Sequence, residues 1–384
     1  MSDKHDLKIM MVAGEVSGDL QGGMLAQAIK ELAPNAILFG MGGQKMKDAG
    51  VDIRFDVLRH ASIGIWENAK NYFLTVRAVF NRMKKVVEEE KPSCIVLIDY
   101  QGFNLELAKF AKNKGIRLVY YIPPQYWAWR TGQAKYVSRL IDQIIAILPE
   151  EEEAYRKAGA NVTFVGSPLL ESVRVSGTRE ELRDALGVRR ESKLIALLPG
   201  SRFSEVRRLL PVMLEAVKIL RARMTDTEFI VPVAASHLKE EIEKQISRSG
   251  LPVRAEEGRT YEILKASNFA VVCSGLATLE AAMLGTPMAV VYRVSFLTSL
   301  IMRMLIQIPN ISPPNILAGR AIVPELLQER ANARNVADTV CNIMMDPNVV
   351  SEMKKNLSEA VSRLGSPGAS RRAAEIVLKV AGSL

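Results

Sequence analysis

Short apolar runs rich in β-branched residues alternate along the chain with longer stretches whose apolar positions recur at helical period. That alternation predicts parallel strands joined by crossover helices, an α/β fold. Strands are expected at 8–13, 36–40, 94–98, 117–122, 143–148 and 162–165, then at 193–198, 228–233, 269–273 and 288–292. Between the two series lies a polar, charge-rich stretch, 172–192, containing Gly177 and Gly187. It predicts a domain boundary. Both series open alike, with "KIMMVAGEVSGD" and "KLIALLPGSRFSEVRR" each giving a strand, a glycine turn with a serine, and a helix. This weak internal duplication predicts two Rossmann-like domains, 1–175 and 190–365, whose parallel sheets face an interdomain cleft where ligands of such folds bind. Residues 366–384 form a C-terminal helix that packs either on the first domain or on a partner subunit.

Length agrees with two domains, since 384 residues exceed the roughly 250 to 300 at which single cores stop growing. A composition of 48% apolar and 24% charged residues is that of a globular chain. Three widely spaced cysteines, Cys94, Cys273 and Cys341, give neither a disulfide framework nor a zinc site and fit a reducing cytoplasm. The N-terminus places acidic residues where a signal peptide is basic, so no export signal is expected. The formal charge of +9 asks for an anionic partner: nucleic acid, anionic lipid or a phosphorylated substrate.

The loop in "MMVAGEVSGDLQGG" holds Gly14, Gly18, Gly22 and Gly23, yet also Glu15 and Asp19 where a bound phosphate would meet negative charge. Val16 replaces the second glycine of a dinucleotide fingerprint, and no Gly-Lys-Ser or Gly-Lys-Thr occurs. The second loop, Gly200-Ser201-Arg202, suits an anion better: a glycine turn at a helix start presents backbone amides, and Arg202 adds a bidentate cation. An ordinary turn with a solvated arginine fits the same letters. In "VVCSGLATLEAAMLGTP", Ser274, Gly275 and Thr278 open a helix and Glu280 follows, an arrangement for phosphate and ribose, or simply for capping. "CIVLIDYQGFN" ends a buried strand with Asp99, where a general base works and where turn chemistry is equally at home. No Asp-x-Asp occurs, His5, His60 and His237 are unpaired, and neither a metal nor another cofactor is expected.

The loop "YYIPPQYWAWRTG" sets Trp127 and Trp129 beside Arg130, rings that could stack on a sugar, shelter an acyl chain or serve structure alone. Two stretches are greasy for a globular surface. In 294–308, ten of fifteen residues are apolar, Phe296, Leu300 and Met304 among them, and Arg303 is the only charge; a spanning helix needs roughly 20 residues. The stretch 63–85 joins Trp66, Phe73 and Phe80 to Lys70, Arg77, Arg82, Lys84 and Lys85. Core helices fit both, but together with the positive charge they predict an interfacial, membrane-facing surface.

The motifs "VAGEVSGD", "IDYQGFN", "YWAWR", "LLPGSR", "SGLATLE" and "PPNILAGR", in that order over nearly the whole chain, resemble the lipid-A-disaccharide synthase family. The resemblance implies a GT-B inverting glycosyltransferase with the acceptor on the N-terminal domain and the UDP-sugar on the C-terminal one. It implies transfer of diacylglucosamine from UDP-2,3-diacylglucosamine to the 6-hydroxyl of 2,3-diacylglucosamine 1-phosphate, giving a β-1,6 disaccharide phosphate and UDP in a Gram-negative cell. Carried over, Asp99 becomes the candidate general base, with Glu15 as a second catalytic carboxylate. Gly200, Ser201, Arg202, Ser274, Gly275, Thr278, Glu280 and Asn315 serve the donor; Ser17, Gly18, Asp19, Trp127 and Arg130 serve the acceptor. The acylated substrates suit a cytoplasmic enzyme held peripherally on the anionic inner leaflet, with a homodimer compatible. Another GT-B enzyme on a UDP-amino-sugar, a peptidoglycan-type transferase or a UDP-sugar epimerase, needs the same nucleotide features. A non-catalytic lipid-binding protein would leave Asp99 and Glu280 idle, and scattered basic residues without interleaved aromatics argue against nucleic acid.

Overall fold

The computed structural model describes residues 7–56, 69–124, 131–293 and 310–382. The chain divides into two compact units, one formed by Met1–Glu171 with Leu364–Leu384 and the other by Ser172–Arg363.

The first unit is built on a seven-stranded sheet: β1 (Lys8–Ala13), β2 (Ile37–Gly42), β3 (Asp52–Asp56), β4 (Cys94–Ile98), β5 (Arg117–Tyr121), β6 (Gln143–Ala146) and β7 (Val162–Phe164). All neighbours run parallel in the order β3-β2-β1-β4-β5-β6-β7. Its central strands are buried on both faces. Ile9 to Ala13 and the whole of β4 are inaccessible to solvent, as continuous apolar runs in a doubly covered parallel sheet must be. The C-terminal helix Ala369–Ala381 belongs to this unit. Arg372 donates from Nε and Nη2 to the Val165 carbonyl at 2.9 and 2.6 Å, and the Ser370 amide donates to Glu171 Oε1 at 3.1 Å.

The second unit carries six strands: β8 (Lys193–Leu198), β9 (Thr227–Val233), β10 (Val253–Glu257), β11 (Phe269–Cys273), β12 (Met288–Tyr292) and β13 (Glu325–Leu327). These too are all parallel, in the order β10-β9-β8-β11-β12-β13. The polar stretch 172–192 is part of this unit. It holds the helix Arg179–Ala185, capped by Thr178 and Glu181. Arg183 is buried there, donating to the carbonyls of Ala266, Arg189 and Ser192.

Three strands were not expected from the sequence: β3, β10 and β13. Each is a sheet edge. "DIRFD", "VRAEE" and "ELL" bury at most alternate residues, so they lack the continuous apolar run that marks a central strand.

Strand order reverses between β1 and β4 in the first sheet and between β8 and β11 in the second. Four loops leave the carboxyl ends of these strands, opening at Gly14, Asp99, Pro199 and Ser274. In open α/β sheets such switch points are where ligands bind.

Candidate functional site

Gly14 and Glu15 precede the helix Val16–Leu32. A side chain at Gly14 would fall inside the Tyr100 ring, so glycine is required there to let the loops after β1 and β4 meet. The other glycines and Asp19 answer a different need. Asp19 is 2% exposed. Its Oδ1 accepts from the amides of Gly43 at 2.8 Å and Met46 at 3.1 Å, and its Oδ2 from Lys45 at 3.0 Å. The carboxylate therefore closes the start of the short helix Gln44–Asp48. That helix lies so close to Val16–Leu32 that a Cβ on Gly23 would approach the Lys45 carbonyl to 2.8 Å. This corrects the expectation that Asp19 meets a sugar: both its oxygens are already engaged inside the protein. Gly18 is buried against Ala13 and the Ile98 carbonyl. Half-buried Glu15 and Ser17 and exposed Val16 remain at the surface of the loop.

After β4 the backbone takes two left-handed steps in succession, φ +48° at Asp99 and +41° at Tyr100. Such positions cost about 1 kcal/mol or more and persist only when the surroundings over-determine them. Here the restraints are explicit. The Asp99 carbonyl accepts from Asn104 Nδ2 at 2.8 Å and from the Tyr120 hydroxyl at 2.7 Å, while the Asp99 amide donates to the Tyr121 carbonyl at 3.3 Å. Tyr100 stacks on Phe103 with centroids 5.7 Å apart and covers Gly14. The half-buried Asp99 is thus held rigidly at the switch point. Behind it lies Glu151, 1% exposed, whose Oε2 accepts from the amides of Ile147 at 3.1 Å and Leu148 at 3.2 Å. Burial pushes the Glu151 carboxyl up to about 8; the two amides oppose this, and the charges of Glu150 and Asp99 reinforce it.

In the second unit the Gly200 turn (φ +118°) leads into the helix Phe203–Arg223. Glu205 Oε2 accepts from the Ser201 amide at 3.0 Å and the Arg202 amide at 3.2 Å. The amides of Ser201 and Arg202, expected to receive an anion, are thus already capped by a carboxylate of the same helix, which argues against an anion on the Ser201 amide. The Arg202 guanidinium stays at the surface, its side chain 61% exposed and Nη1 3.6 Å from Glu205 Oε1.

The loop after β11 is different. Gly275 sits at φ +152° with open space where a Cβ would stand, and the helix Leu276–Met283 begins without a side-chain cap. Among the described residues its first two amides, Leu276 and Ala277, have no acceptor. Ser274 is half-buried, its hydroxyl 3.4 Å from the Ile311 carbonyl. Thr278 is turned inward, fully buried, donating to the Gly275 carbonyl at 2.7 Å; it shapes the turn rather than facing a phosphate. Burial raises the Glu280 carboxyl above its ordinary value, opposed by a hydrogen bond from Tyr261.

Asn315 corrects another expectation. It is fully buried in the helix Pro313–Ala318. Nδ2 donates to Val323 O at 2.9 Å and Glu325 Oε1 at 2.8 Å, and Oδ1 accepts from the amides of Ile322 at 2.7 Å and Val323 at 2.9 Å. With all four bonds made, Asn315 closes the turn into β13 and has none left for a ligand. Sequence reasoning overlooked Glu205, Glu325 and Tyr261. Glu205 carries a signal, three residues beyond the N-cap, where a carboxylate reaches back to helix-start amides.

Partly buried Phe80 packs edge-to-face on Phe103 at 5.7 Å and against the core. The side chain of Phe73, together with Trp66, Trp127, Arg130, Phe296, Leu300 and Met304, lies outside the described residues. Among those described, no helix is long and apolar enough to cross a membrane.

Comparisons with known proteins agree with this fold. A family model described as lipid-A-disaccharide synthetase matches residues 9–380. The lipid-A-disaccharide synthase of Syntrophus aciditrophicus is 43% identical over 371 residues, 96% of this chain and 97% of the relative. Among solved structures, a UDP complex of MnaA from S. aureus superposes with a TM-score of 0.70 at 14% identity, covering 98% of this chain and 97% of the other. The calicheamicin glycosyltransferase CalG4 gives 0.60 at 12%, covering 99% of each. At those identities the structures establish the fold, two Rossmann-like units of the GT-B kind, while the sequence matches establish kinship: the chain belongs to the lipid-A-disaccharide synthetase family.

Proposed function

We propose that this glycosyltransferase runs the family's reaction with acceptor chemistry on the first unit and donor chemistry on the second. The observation that supports this most is topological. The four loops at the switch points of the two sheets carry four of the six motifs, bearing Glu15, Asp99, Arg202 and Ser274-Gly275.

The acceptor 6-hydroxyl of 2,3-diacylglucosamine 1-phosphate attacks the anomeric carbon of UDP-2,3-diacylglucosamine in line with the departing UDP, inverting that centre. A bond from O6 to carbon forms, the bond from carbon to the β-phosphate oxygen breaks, and Asp99 takes the hydroxyl proton. Glu15 lies on the neighbouring switch-point loop to accept sugar hydroxyls. Asp19 ties the helix after that loop to the start of Gln44–Asp48. UDP leaves with negative charge on its diphosphate, which the Arg202 guanidinium and the uncapped amides at the start of Leu276–Met283 stabilise. Ser274 adds a hydroxyl and Glu280 accepts from the ribose. Trp127 and Arg130 complete the acceptor side in this reading.

Replacing Asp99 by Asn keeps the shape and removes the base. The expected result is a turnover reduced about 10²- to 10⁴-fold with UDP affinity unchanged by titration calorimetry. Near-normal turnover would move the role to Glu15.

Acylated substrates imply docking at a cytoplasmic, anionic bilayer surface. The charge of +9 and the exposed Arg77, Arg82 and Lys85 on the helix Ala69–Glu90 support it. Cosedimentation with anionic vesicles should be strong at low salt and weaken as salt rises; protein left in the supernatant at low salt contradicts the idea.

A further inference from the structure

Glu280 is held from outside its own loop. Tyr261, in the helix Thr260–Ala266 after β10, donates its hydroxyl to Glu280 Oε1 at 2.9 Å. Ser172 hydrogen-bonds the same phenol, so Tyr261 is fixed on both sides. Among the described residues Glu280 Oε1 has this one donor and Oε2 has none, and the residue is half-buried rather than sealed.

The terminal torsion of a glutamate is broad and roughly two-fold, so an untethered carboxylate meets a ligand in many orientations. A vicinal diol offers two hydroxyls at fixed spacing and needs acceptors in one plane. The phenol bond fixes that plane and leaves Oε2 for the ligand. It also favours the ionised carboxylate, which only accepts, against the burial that favours the protonated form.

We infer that Tyr261 is a positioning residue that sets Glu280 to read the ribose diol and thereby gives the site its selectivity for ribonucleotides. This rests on the assignment of Glu280 to ribose above, and the experiment separates the two. Calorimetric titration of the full chain, as wild type, Glu280→Gln and Tyr261→Phe, uses UDP and 2′,3′-dideoxy-UDP as probes. Wild type should prefer UDP by roughly 10- to 100-fold, the scale of charge-assisted hydrogen bonds. Glu280→Gln should lose most of that preference. Tyr261→Phe, which keeps the ring, should lower it about tenfold through UDP alone, with dideoxy-UDP affinity unchanged. If Tyr261→Phe weakens both nucleotides alike, the tyrosine is only structural and the inference fails. If Glu280→Gln loses the preference while Tyr261→Phe keeps it, the inference fails and the ribose assignment stands. If Glu280→Gln keeps the preference, the assignment itself is wrong.

Discussion

The loops that open the two sheets, 14–19 and 200–205, look alike as letters: a glycine turn, a serine, and a carboxylate early in the following helix. In three dimensions they part. Asp19 reaches across to the amides of Gly43, Lys45 and Met46, whereas Glu205 reaches back to the amides of Ser201 and Arg202 in its own turn. Only the second loop thus supplies an anion to its own helix-start amides; the first spends its carboxylate on another helix. A glycine-rich turn before a helix is therefore no phosphate site until its amides are shown to lack an acceptor. Within the second sheet that criterion favours the loop after β11 for the proposed diphosphate site, since Gly275 and the helix start carry no cap there, with Arg202 proposed to supply charge from the neighbouring switch-point loop.

Substitutions can break this comparison. The largest effect is expected for Asp19→Ala, which strands three amides, two of them in buried bonds. At roughly 1 kcal/mol or more for each lost acceptor, urea unfolding should show a loss of about 3–4 kcal/mol. A neutral outcome would mean that the carboxylate is not what holds Gln44–Asp48.

Arg202→Ala comes next and acts on binding rather than folding, because its side chain is 61% exposed. Losing a charge-assisted contact to the diphosphate should weaken UDP by about 2 kcal/mol, roughly 30-fold, while Glu15→Ala leaves UDP within about twofold by calorimetry. The reverse pattern would exchange the roles of the two units.

A further effect is read as a slope. Glu151, behind Asp99, is a third carboxylate engaged by loop amides, and its folded value of about 8 lies above the ordinary 4.5. The native state therefore holds the proton more tightly than the unfolded chain. This contribution to stability is complete below about pH 4.5 and is lost as pH rises toward about 8. Glu151→Gln retains an acceptor for Ile147 and Leu148 and should flatten that decline in melting temperature between pH 5 and 8. An unchanged slope would assign the decline to other groups.

Much of the fold was legible because central parallel strands are buried on both faces and spell continuous apolar runs. All ten expected strands form, and the three missed are edges whose exposed faces admit Asp, Arg and Glu. The site was legible where a residue's place follows from its strand: Glu15, Asp99, Arg202 and Ser274 all lie just past a switch-point strand. It was illegible where the partner is distant in sequence. Asp19 meets amides 24 to 27 residues on, and Tyr261 meets Glu280 across 19. Thr278 and Asn315 have polar letters but buried positions, and only packing distinguishes a polar residue that binds a ligand from one that closes a turn.

The central claim is that this chain joins two acylated sugars, and the most direct measurement is UDP release by the purified protein in detergent micelles. UDP-2,3-diacylglucosamine and 2,3-diacylglucosamine 1-phosphate would be supplied together and each alone. Release only when both lipids are present is the predicted result. Release from the donor alone, or none from protein that binds UDP, would contradict the assignment of the acceptor.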